Sequence, residues 1–214
     1  MNTQKLYAIQ ERLAKKVRLV DGFEKLERIA GSDLAYSGKQ AYCAVAILAY
    51  STMKLLEERA VEKKINIPYI PTFLAFRELE PVMEAIKGLE FDVLILDGQG
   101  IAHPRGLGIA SHVGVLADVP TIGVAKSRLC GEVKEKLEVG KPVALFYEGR
   151  QVGYALRTKR DTKPIYVSPG HKVSLESSIE IVQACLKKHK LPEPTRIAHQ
   201  LAENAKREKT TIVV

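Results

Sequence analysis

The sequence predicts a mixed α/β fold, with a central five-stranded sheet of three antiparallel strands and then parallel strands, flanked by helices. Three strand-like segments follow one another near the N-terminus, and two continuous apolar segments come later, between helical patterns. Hydrophobic residues make up 46% of the 214 positions, enough for a folded core. We expect one domain spanning residues 1–214.

The N-terminal part predicts one helix and three strands. Residues 3–19 carry apolar side chains at helical spacing, which indicates an amphipathic helix. Segments 27–36, 41–50 and 55–65 are rich in β-prone residues. Because the links between them are short, we expect an antiparallel arrangement.

The middle of the chain alternates helices with buried strands. Residues 73–85 are predicted to be helical, with Pro81 marking a break or a restart. The apolar segments 92–97 and 119–124 are typical of strands buried on both faces. A helix is expected between them, over residues 107–117.

The C-terminal part predicts a hairpin and two helices. Residues 143–147 and 151–157 form the hairpin, and helix 174–188 begins at a Ser174 cap. Thr195 is expected to cap the last helix, whose basic end should fray. This order of strands and helices is similar to that of RNase H-like nucleases.

Charge divides the chain into two unequal parts. The net charge is +8: residues 1–120 carry 15 basic and 15 acidic side chains, and residues 121–214 carry 18 and 10. Such an asymmetry suits a polyanion lying along one face. Thermostable proteins also accumulate surface Lys and Glu, so charge alone leaves nucleic-acid binding open.

The chain has no segment that resembles a membrane span or a signal peptide. No apolar run approaches the roughly 20 residues that a bilayer requires. The three cysteines lack the spacing of a zinc site or a redox pair, which fits a reducing compartment. We therefore expect a cytoplasmic protein without membrane contact.

Two acids stand where carboxylates are costly. Asp33 interrupts an apolar strand, and Asp97 ends the most apolar strand of the chain. An unpaired carboxylate there would cost several kcal/mol, so each needs a partner or a cation. If the two strands are neighbours, both acids could bind one Mg²⁺. The alternative for Asp97 is a strand-end residue that caps the following turn.

The loop after Asp97 also contains residues suited to a site. Gly98 and Gly100 would let a backbone approach a ligand closely; the alternative is that these glycines only turn the chain. His103 adds a titratable group and Arg105 a fixed cation. No Gly-Lys-Ser/Thr follows, so the loop is not a P-loop.

Four other features are ambiguous by themselves. Glu78 on the helix would usually be solvated, and Lys126 after a buried strand is either a surface cation or a group that stabilises charge on a phosphate. The turn Pro68–Pro71 is either a hydrophobic plug or a wedge that enters a stacked duplex. A lone histidine such as His199 is more often structural.

Together these segments resemble the endonuclease V family, nucleases that cut nucleic acid beside a deaminated adenine. The matching stretches are Gly31–Leu34, Pro68–Glu78, Asp97–Arg105, Gly123–Leu129, Val167–His171 and Glu193–His199. They occur in the family's order and span most of the chain, and the Pro-Tyr-Ile-Pro and Asp-Gly-Gln-Gly blocks are highly specific.

The resemblance implies an RNase H-like fold and hydrolysis that depends on Mg²⁺, with Mn²⁺ able to substitute. The implied metal ligands are Asp33, Asp97 and Glu78. The implied catalytic residues are Asp33, Glu78, Asp97, Lys126, His103 and His199. Water would attack the phosphorus of the second phosphodiester 3′ to the lesion and displace the 3′ oxygen, leaving 3′-hydroxyl and 5′-phosphate ends.

The resemblance also implies how the lesion is bound. The wedge consists of Pro68, Tyr69, Ile70 and Pro71, and Tyr69 fills the gap left by the rotated hypoxanthine. The base pocket consists of Leu74, Gly98, Gly100, Gly108, Ile109 and Leu129. The phosphate contacts are Arg105 and Arg128, with Lys159 and Arg160 as further candidates.

The expected partner is inosine-containing DNA in a repair reaction, with inosine-containing RNA as the alternative, and the expected state is a monomer. Two positions depart from some family members: Thr72 stands where they carry glycine, and His199 where they carry an acid.

Three competing functions remain on the residues alone. RNase H, a junction resolvase or an excision-repair nuclease would share the acids but lack the wedge. A nucleic-acid-binding protein without activity would not need Asp33, Glu78, Asp97 and Lys126 together. A sugar-phosphate enzyme would need a phosphate cradle that the sequence lacks.

Overall fold

The computed structural model of the chain describes residues 3–68 and 70–211, with the side chains of 210 and 211 excepted. The helices within these residues are α1 Thr3–Ala14, α2 Leu74–Ile86, α3 Ile109–Ala117, α4 Leu175–Ala184 and α5 Glu193–Thr211. The strands are β1 Arg28–Ser37, β2 Gln40–Ala49, β3 Lys54–Lys64, β4 Val93–Asp97, β5 Thr121–Ala125, β6 Glu132–Val133, β7 Pro142–Tyr147, β8 Arg150–Leu156 and β9 Ile165–His171.

All these strands belong to one mixed sheet with the order β3-β2-β1-β4-β5-β9-β8-β7-β6. Strands β1, β2 and β3 are antiparallel, and β4 and β5 run parallel to β1. The predicted order of antiparallel and then parallel strands is therefore confirmed. The predicted number of five strands is wrong, because β9, β8, β7 and β6 continue the same sheet beyond β5.

Strand β9 is the element that the sequence pattern concealed. It contains Ser168, Pro169 and Gly170, residue types that usually mark turns. Its extended conformation comes from antiparallel pairing with β5 on one side and β8 on the other. Tertiary pairing therefore overrides local preference here.

Helices cover both faces of the sheet. One core cluster joins the sheet to α4 and α5, and a second joins the opposite face to α2 and α3. The side chains of β4 from Val93 to Leu96 are buried, as expected of a strand covered on both faces. The described helices include none with the length and apolarity that would cross a bilayer.

Several predicted helix boundaries are wrong. Helix α2 continues through Pro81, whose ring is buried among the residues that face the sheet, so no break occurs there. Thr195 lies inside α5, because that helix already begins at Glu193. The basic end of α5 stays helical, and Lys209 contacts Glu62 of β3 at 3.2 Å.

Candidate functional site

Asp33 and Asp97 lie at neighbouring positions in the sheet. The parallel register of β1 and β4 pairs Ser32 with Leu96, so the next residue of each strand is an aspartate. The condition for a shared ion, that their strands are neighbours, is therefore met. Two adjacent interior strands of the sheet thus carry carboxylates side by side.

A cavity of about 330 Å³ opens beside these two acids. The residues that line it and that the sequence had singled out are Asp33, Glu78, Asp97, His103, Lys126, Arg128, Leu74, Gly98, Gly108, Ile109 and Leu129. Helix α2 contributes Glu78, and the segment after β5 contributes Lys126. The fold thus brings four separate parts of the sequence to one cavity.

Asp33 is a buried carboxylate with two described partners. Its Oδ1 accepts a hydrogen bond from the Leu34 amide at 2.8 Å, and its Oδ2 lies 2.6 Å from Nδ1 of His199. Burial and the nearby charge of Asp97 raise the pKa of Asp33 to about 6. Ionised Asp33 is therefore poorly compensated by these contacts.

Glu78 is buried and has an unexpected partner. Burial raises the pKa of Glu78 to about 7, although the Tyr36 hydroxyl opposes this by donating a hydrogen bond to Oε1 at 2.6 Å. The Arg77 guanidinium lies 4.4 Å from the centre of the Tyr36 ring. Tyr36 therefore orients Glu78, a role that nothing in its local sequence had indicated.

Asp97 is paired with Lys126 across the adjacent strands β4 and β5. The Lys126 Nζ donates a hydrogen bond to Asp97 Oδ2. Burial lowers the pKa of Lys126, but Asp97, Asp33 and Glu78 together outweigh this effect, so the net pKa is raised. Lys126 is therefore a cation positioned at the acids, rather than a freely solvated surface lysine.

The donor set of this cavity suits a hard divalent cation. Three carboxylates line the same cavity, and burial, together with repulsion between the acids, raises the pKa values of Asp33 and Glu78. As the described side chains stand, however, no group of three acids, histidines or cysteines converges on one ion position. An ion would compete with Lys126 for Asp97 and with His199 for Asp33.

His199 reaches Asp33 because α5 lies very close to β1. A Cβ added at Gly31 would be 2.1 Å from the backbone carbonyl carbon of Pro194, so only glycine permits this approach. The imidazole is half-exposed at the edge of the site and does not line the cavity itself. The family resemblance had implied that His199 and Asp33 share one site, and the structure adds their direct contact.

Gly100 is not among the residues that line this cavity, so its place in the base pocket stays a prediction. Its amide donates a hydrogen bond to Ser168 Oγ at 2.8 Å, and a Cβ there would meet the Pro169 carbonyl oxygen at 2.1 Å. Gly100 is needed for packing the loop against β9. Gly98 does line the cavity, with a φ of +152° that favours glycine.

Gln99 lines the cavity and was missed by the sequence reasoning. Its Nε2 donates a hydrogen bond to the Ser127 carbonyl oxygen at 2.9 Å, which ties the loop after β4 to the segment after β5. Its buried Oε1 has no hydrogen-bond partner among the described residues. Its side chain therefore links two walls of the cavity.

Arg105 is engaged in holding the backbone of Thr72. Its guanidinium donates to Thr72 Oγ1 at 2.6 Å, to the Thr72 carbonyl oxygen at 3.2 Å and to Gln10 Oε1 at 2.5 Å. It also stacks over the Tyr7 and Phe73 rings. These contacts use its donors inside the protein, so they oppose the predicted phosphate contact of Arg105.

His103 belongs to the same network. The Arg105 amide donates to Nδ1 at 3.2 Å, so the ring proton lies on Nε2, which donates to the Thr72 carbonyl oxygen at 2.9 Å. Burial lowers the pKa of His103 to about 4. Both ring nitrogens of this neutral histidine are already used, which favours positioning over proton transfer.

Thr72 has a left-handed backbone with a φ of +67°, which is costly for a β-branched residue. We expect that replacing Arg105 by lysine lowers stability by about 3 kcal/mol, or roughly 6–12 °C in Tm, because lysine cannot make the three bonds at once. Thermal unfolding would measure this. Arg128→Lys, at an exposed position, is the matched control. Equal Tm values for both variants would contradict the proposed tie.

The predicted wedge is described in part. Pro68 and Pro71 are exposed and Ile70 is half-buried, while Tyr69 lies outside the described residues. The Phe73 amide donates to the Ile70 carbonyl oxygen at 2.9 Å, which closes the turn directly before α2. The turn therefore projects beside the cavity that Leu74 and Glu78 line.

Comparison with known proteins gives consistent matches. The sequence model of the family described as Endonuclease V matches residues 11–200. A curated relative named Endonuclease V, from Rippkaea orientalis, is 45% identical over 201 residues, which is 92% of this chain and 88% of the relative.

Two solved structures are also similar. The endonuclease V of Streptomyces avermitilis superposes with a TM-score of 0.89 at 33% identity and covers 98% of this chain and 95% of its own. A D-to-N variant of Ciona intestinalis endonuclease V has a TM-score of 0.84 at 30% identity, with 97% and 99% coverage. That protein is in complex with a 23mer DNA containing an inosine followed by a ribo-adenosine.

Proposed function

The chain belongs to the endonuclease V family, and from this we propose that it hydrolyses nucleic acid beside a deaminated adenine in a metal-dependent repair reaction. The cut falls at the second phosphodiester bond 3′ to the lesion and leaves 3′-hydroxyl and 5′-phosphate ends. The observation that carries the proposal is the meeting of Asp33, Glu78, Asp97 and Lys126 at one cavity.

Asp33, Asp97 and Glu78 would hold the metal ion, for which Mg²⁺ is the proposed species and Mn²⁺ a substitute. When bound, such an ion polarises the phosphoryl oxygen and lowers the pKa of a water nucleophile. Carboxylate oxygens are the ligands that Mg²⁺ prefers. The raised pKa values of Asp33 and Glu78 indicate that burial disfavours their negative charge, and a bound cation would offset this cost.

The other residues at the cavity act on substrate through position and charge. Lys126, now held by Asp97, would stabilise negative charge on the phosphate at the scissile bond. His199 would orient Asp33 through its Nδ1 contact, and Tyr36 would orient Glu78. His103 would act mainly by fixing the Thr72 backbone.

The part of the cavity away from the acids suits a flat base. Leu74, Gly98, Gly108, Ile109 and Leu129 line it, so its wall there consists of apolar side chains and backbone. The turn around Pro68 and Pro71 would separate the strands. Because a mispaired base is easier to rotate out of the stack, this arrangement favours deaminated over normal adenine.

The test is cleavage of an end-labelled duplex with one deoxyinosine, in Mg²⁺ and in EDTA, beside a matched inosine-containing RNA and an undamaged duplex. We expect one metal-dependent nick at the second linkage 3′ of inosine, because the acids and the base pocket share one cavity. The RNA lane measures which nucleic acid is preferred. Retention of the inosine strand without any nick would overturn the nuclease proposal in favour of a binding protein.

A further inference from the structure

The positive charge of this protein is concentrated in two loops that the catalytic proposal does not use. Residues 157–164 connect β8 to β9, and residues 186–190 connect α4 to α5. Together they contain seven lysines and arginines and one aspartate, against a net charge of +8 for the whole chain. We call these two loops the basic rim.

The basic rim lies at the end of the sheet where β4 terminates in Asp97. Asp97 pairs with Val124, the next residue Ala125 pairs with Tyr166, and Leu156 pairs with Ile165. Loop 157–164 therefore emerges at the same strand ends as Asp97. Thr158 Oγ1 donates to the Lys190 carbonyl oxygen at 3.0 Å and so joins the second loop to the first.

The basic rim is also continuous with the catalytic cavity. A depression of about 260 Å³ is lined by Lys126, His189, Lys190, Leu191 and Arg196. Lys126 lines both this depression and the catalytic cavity. A chain of phosphates leaving the acids could thus follow one surface onto the rim.

The cations of the rim are available for a ligand. The exposed side chains of Lys159, Arg160, Lys163, Lys187 and Lys188 form no ion pair within the described part of the chain. Some cations elsewhere on the surface are paired, as Lys141 is with Glu138 and Lys206 with Glu203. Clustered like charges without partners repel one another, and a polyanion would relieve that repulsion.

We propose that the basic rim is a phosphodiester-binding surface that holds the nucleic-acid backbone beyond the linkage being cut. The proposal rests on the proposed function, since that function places a nucleic acid in the adjoining cavity. Lysine and arginine contacts to phosphates add affinity without reading sequence. The rim therefore sets affinity and its dependence on salt, whereas the choice of lesion belongs to the cavity.

The test is the affinity of the full chain for an undamaged labelled duplex, measured by fluorescence anisotropy in EDTA from about 50 to 200 mM salt. Lys187, Lys188 and Lys190 are changed together to glutamine. We expect binding at least about tenfold weaker at the lower salt and a slope of log K against log salt that is smaller by about 2–3. The control changes Lys25, Lys54 and Lys87 to glutamine, at the opposite end of the sheet.

The two triple variants change net charge equally, so they differ mainly in the place of the lost charges; the control also loses the Lys25–Glu27 ion pair. An unchanged slope in the rim variant, or equal losses in both variants, would overturn the proposal. Thermal unfolding of each variant checks that folding is intact. This binding experiment measures no cleavage, so it is independent of the inosine assay. If the inosine assay shows no cleavage but the salt slope is smaller in the rim variant, the nuclease proposal is rejected and the phosphodiester-binding surface is kept. If inosine-containing DNA is cleaved but the rim variant has an unchanged salt slope, the nuclease proposal is kept and the phosphodiester-binding surface is rejected.

Discussion

Replacing Asp97 by asparagine is expected to abolish cleavage and to preserve binding of the inosine-containing duplex. Asp97 ends β4 beside Asp33, which lies within β1, and is paired with Lys126, so it is central to the charge balance of the cavity. Losing one carboxylate ligand should remove about 4–6 kcal/mol of transition-state stabilisation, a fall of roughly 10³–10⁴ in the single-turnover rate. Binding should be equal or slightly tighter, because Lys126 is freed to meet a phosphate.

The rate and the affinity of the Asp97→Asn variant are measured separately, by single-turnover cleavage and by anisotropy in EDTA. The matched control is Asp118→Asn, an exposed C-cap of α3 with a φ of +55°, a conformation that asparagine tolerates. That control should cut at the wild-type rate. Cleavage by the Asp97 variant within about threefold of wild type would remove Asp97 from the catalytic assignment.

Replacing Glu78 by glutamine is expected to stabilise the metal-free protein while impairing cleavage. Burial raises the pKa of Glu78 to about 7 from an ordinary value of 4.5, so the folded state holds its proton more tightly than the unfolded state does. Above about pH 7, Glu78 is ionised in both states, and burial destabilises the ionised carboxylate only in the folded state. Removing the charge should therefore raise stability at about pH 8 by about 2 kcal/mol, or roughly 4–8 °C in Tm.

The direction of the pH dependence provides the decisive measurement. Between about pH 4.5 and 7 the folded state binds more protons, so Glu78 makes wild-type stability fall as pH rises through that range. In Glu78→Gln this contribution disappears, while the amide oxygen can still accept the bond from Tyr36. The Tm difference between variant and wild type in EDTA should thus be small near pH 4.5 and largest above pH 7.

Two results would contradict this view of Glu78. A Tm difference that does not change with pH would show that its carboxylate is already compensated in the folded protein. A variant less stable than wild type at all pH values would make Glu78 a structural residue. Glu80→Gln, on the exposed side of the same helix, controls for the general effect of removing one acid from α2.

Local sequence was sufficient to find the residues whose placement costs energy. Asp33 and Asp97 interrupt or end apolar strands, and that cost can be read from a few neighbouring residues. Glu78, His103 and Lys126 required the family resemblance, because an acid on a helix or a lysine after a strand is ordinary. The arrangement of the first five strands was also predictable from local patterns, because short links favour antiparallel strands and an intervening helix favours parallel ones.

The partners of these residues were decided by tertiary structure alone. Tyr36 and Glu78 are 42 positions apart in the chain, Gln10 and Arg105 are 95 apart, and His199 and Asp33 are 166 apart. No local pattern encodes such contacts, because they depend on sheet order and on the close approach of α5 to β1. Likewise, β9 is a strand despite its Ser-Pro-Gly sequence, since pairing on both sides outweighs intrinsic preference. The sequence by itself thus determined that Asp33 and Asp97 need compensation, whereas the packing of distant segments buried Glu78 beside them and decided which groups surround all three.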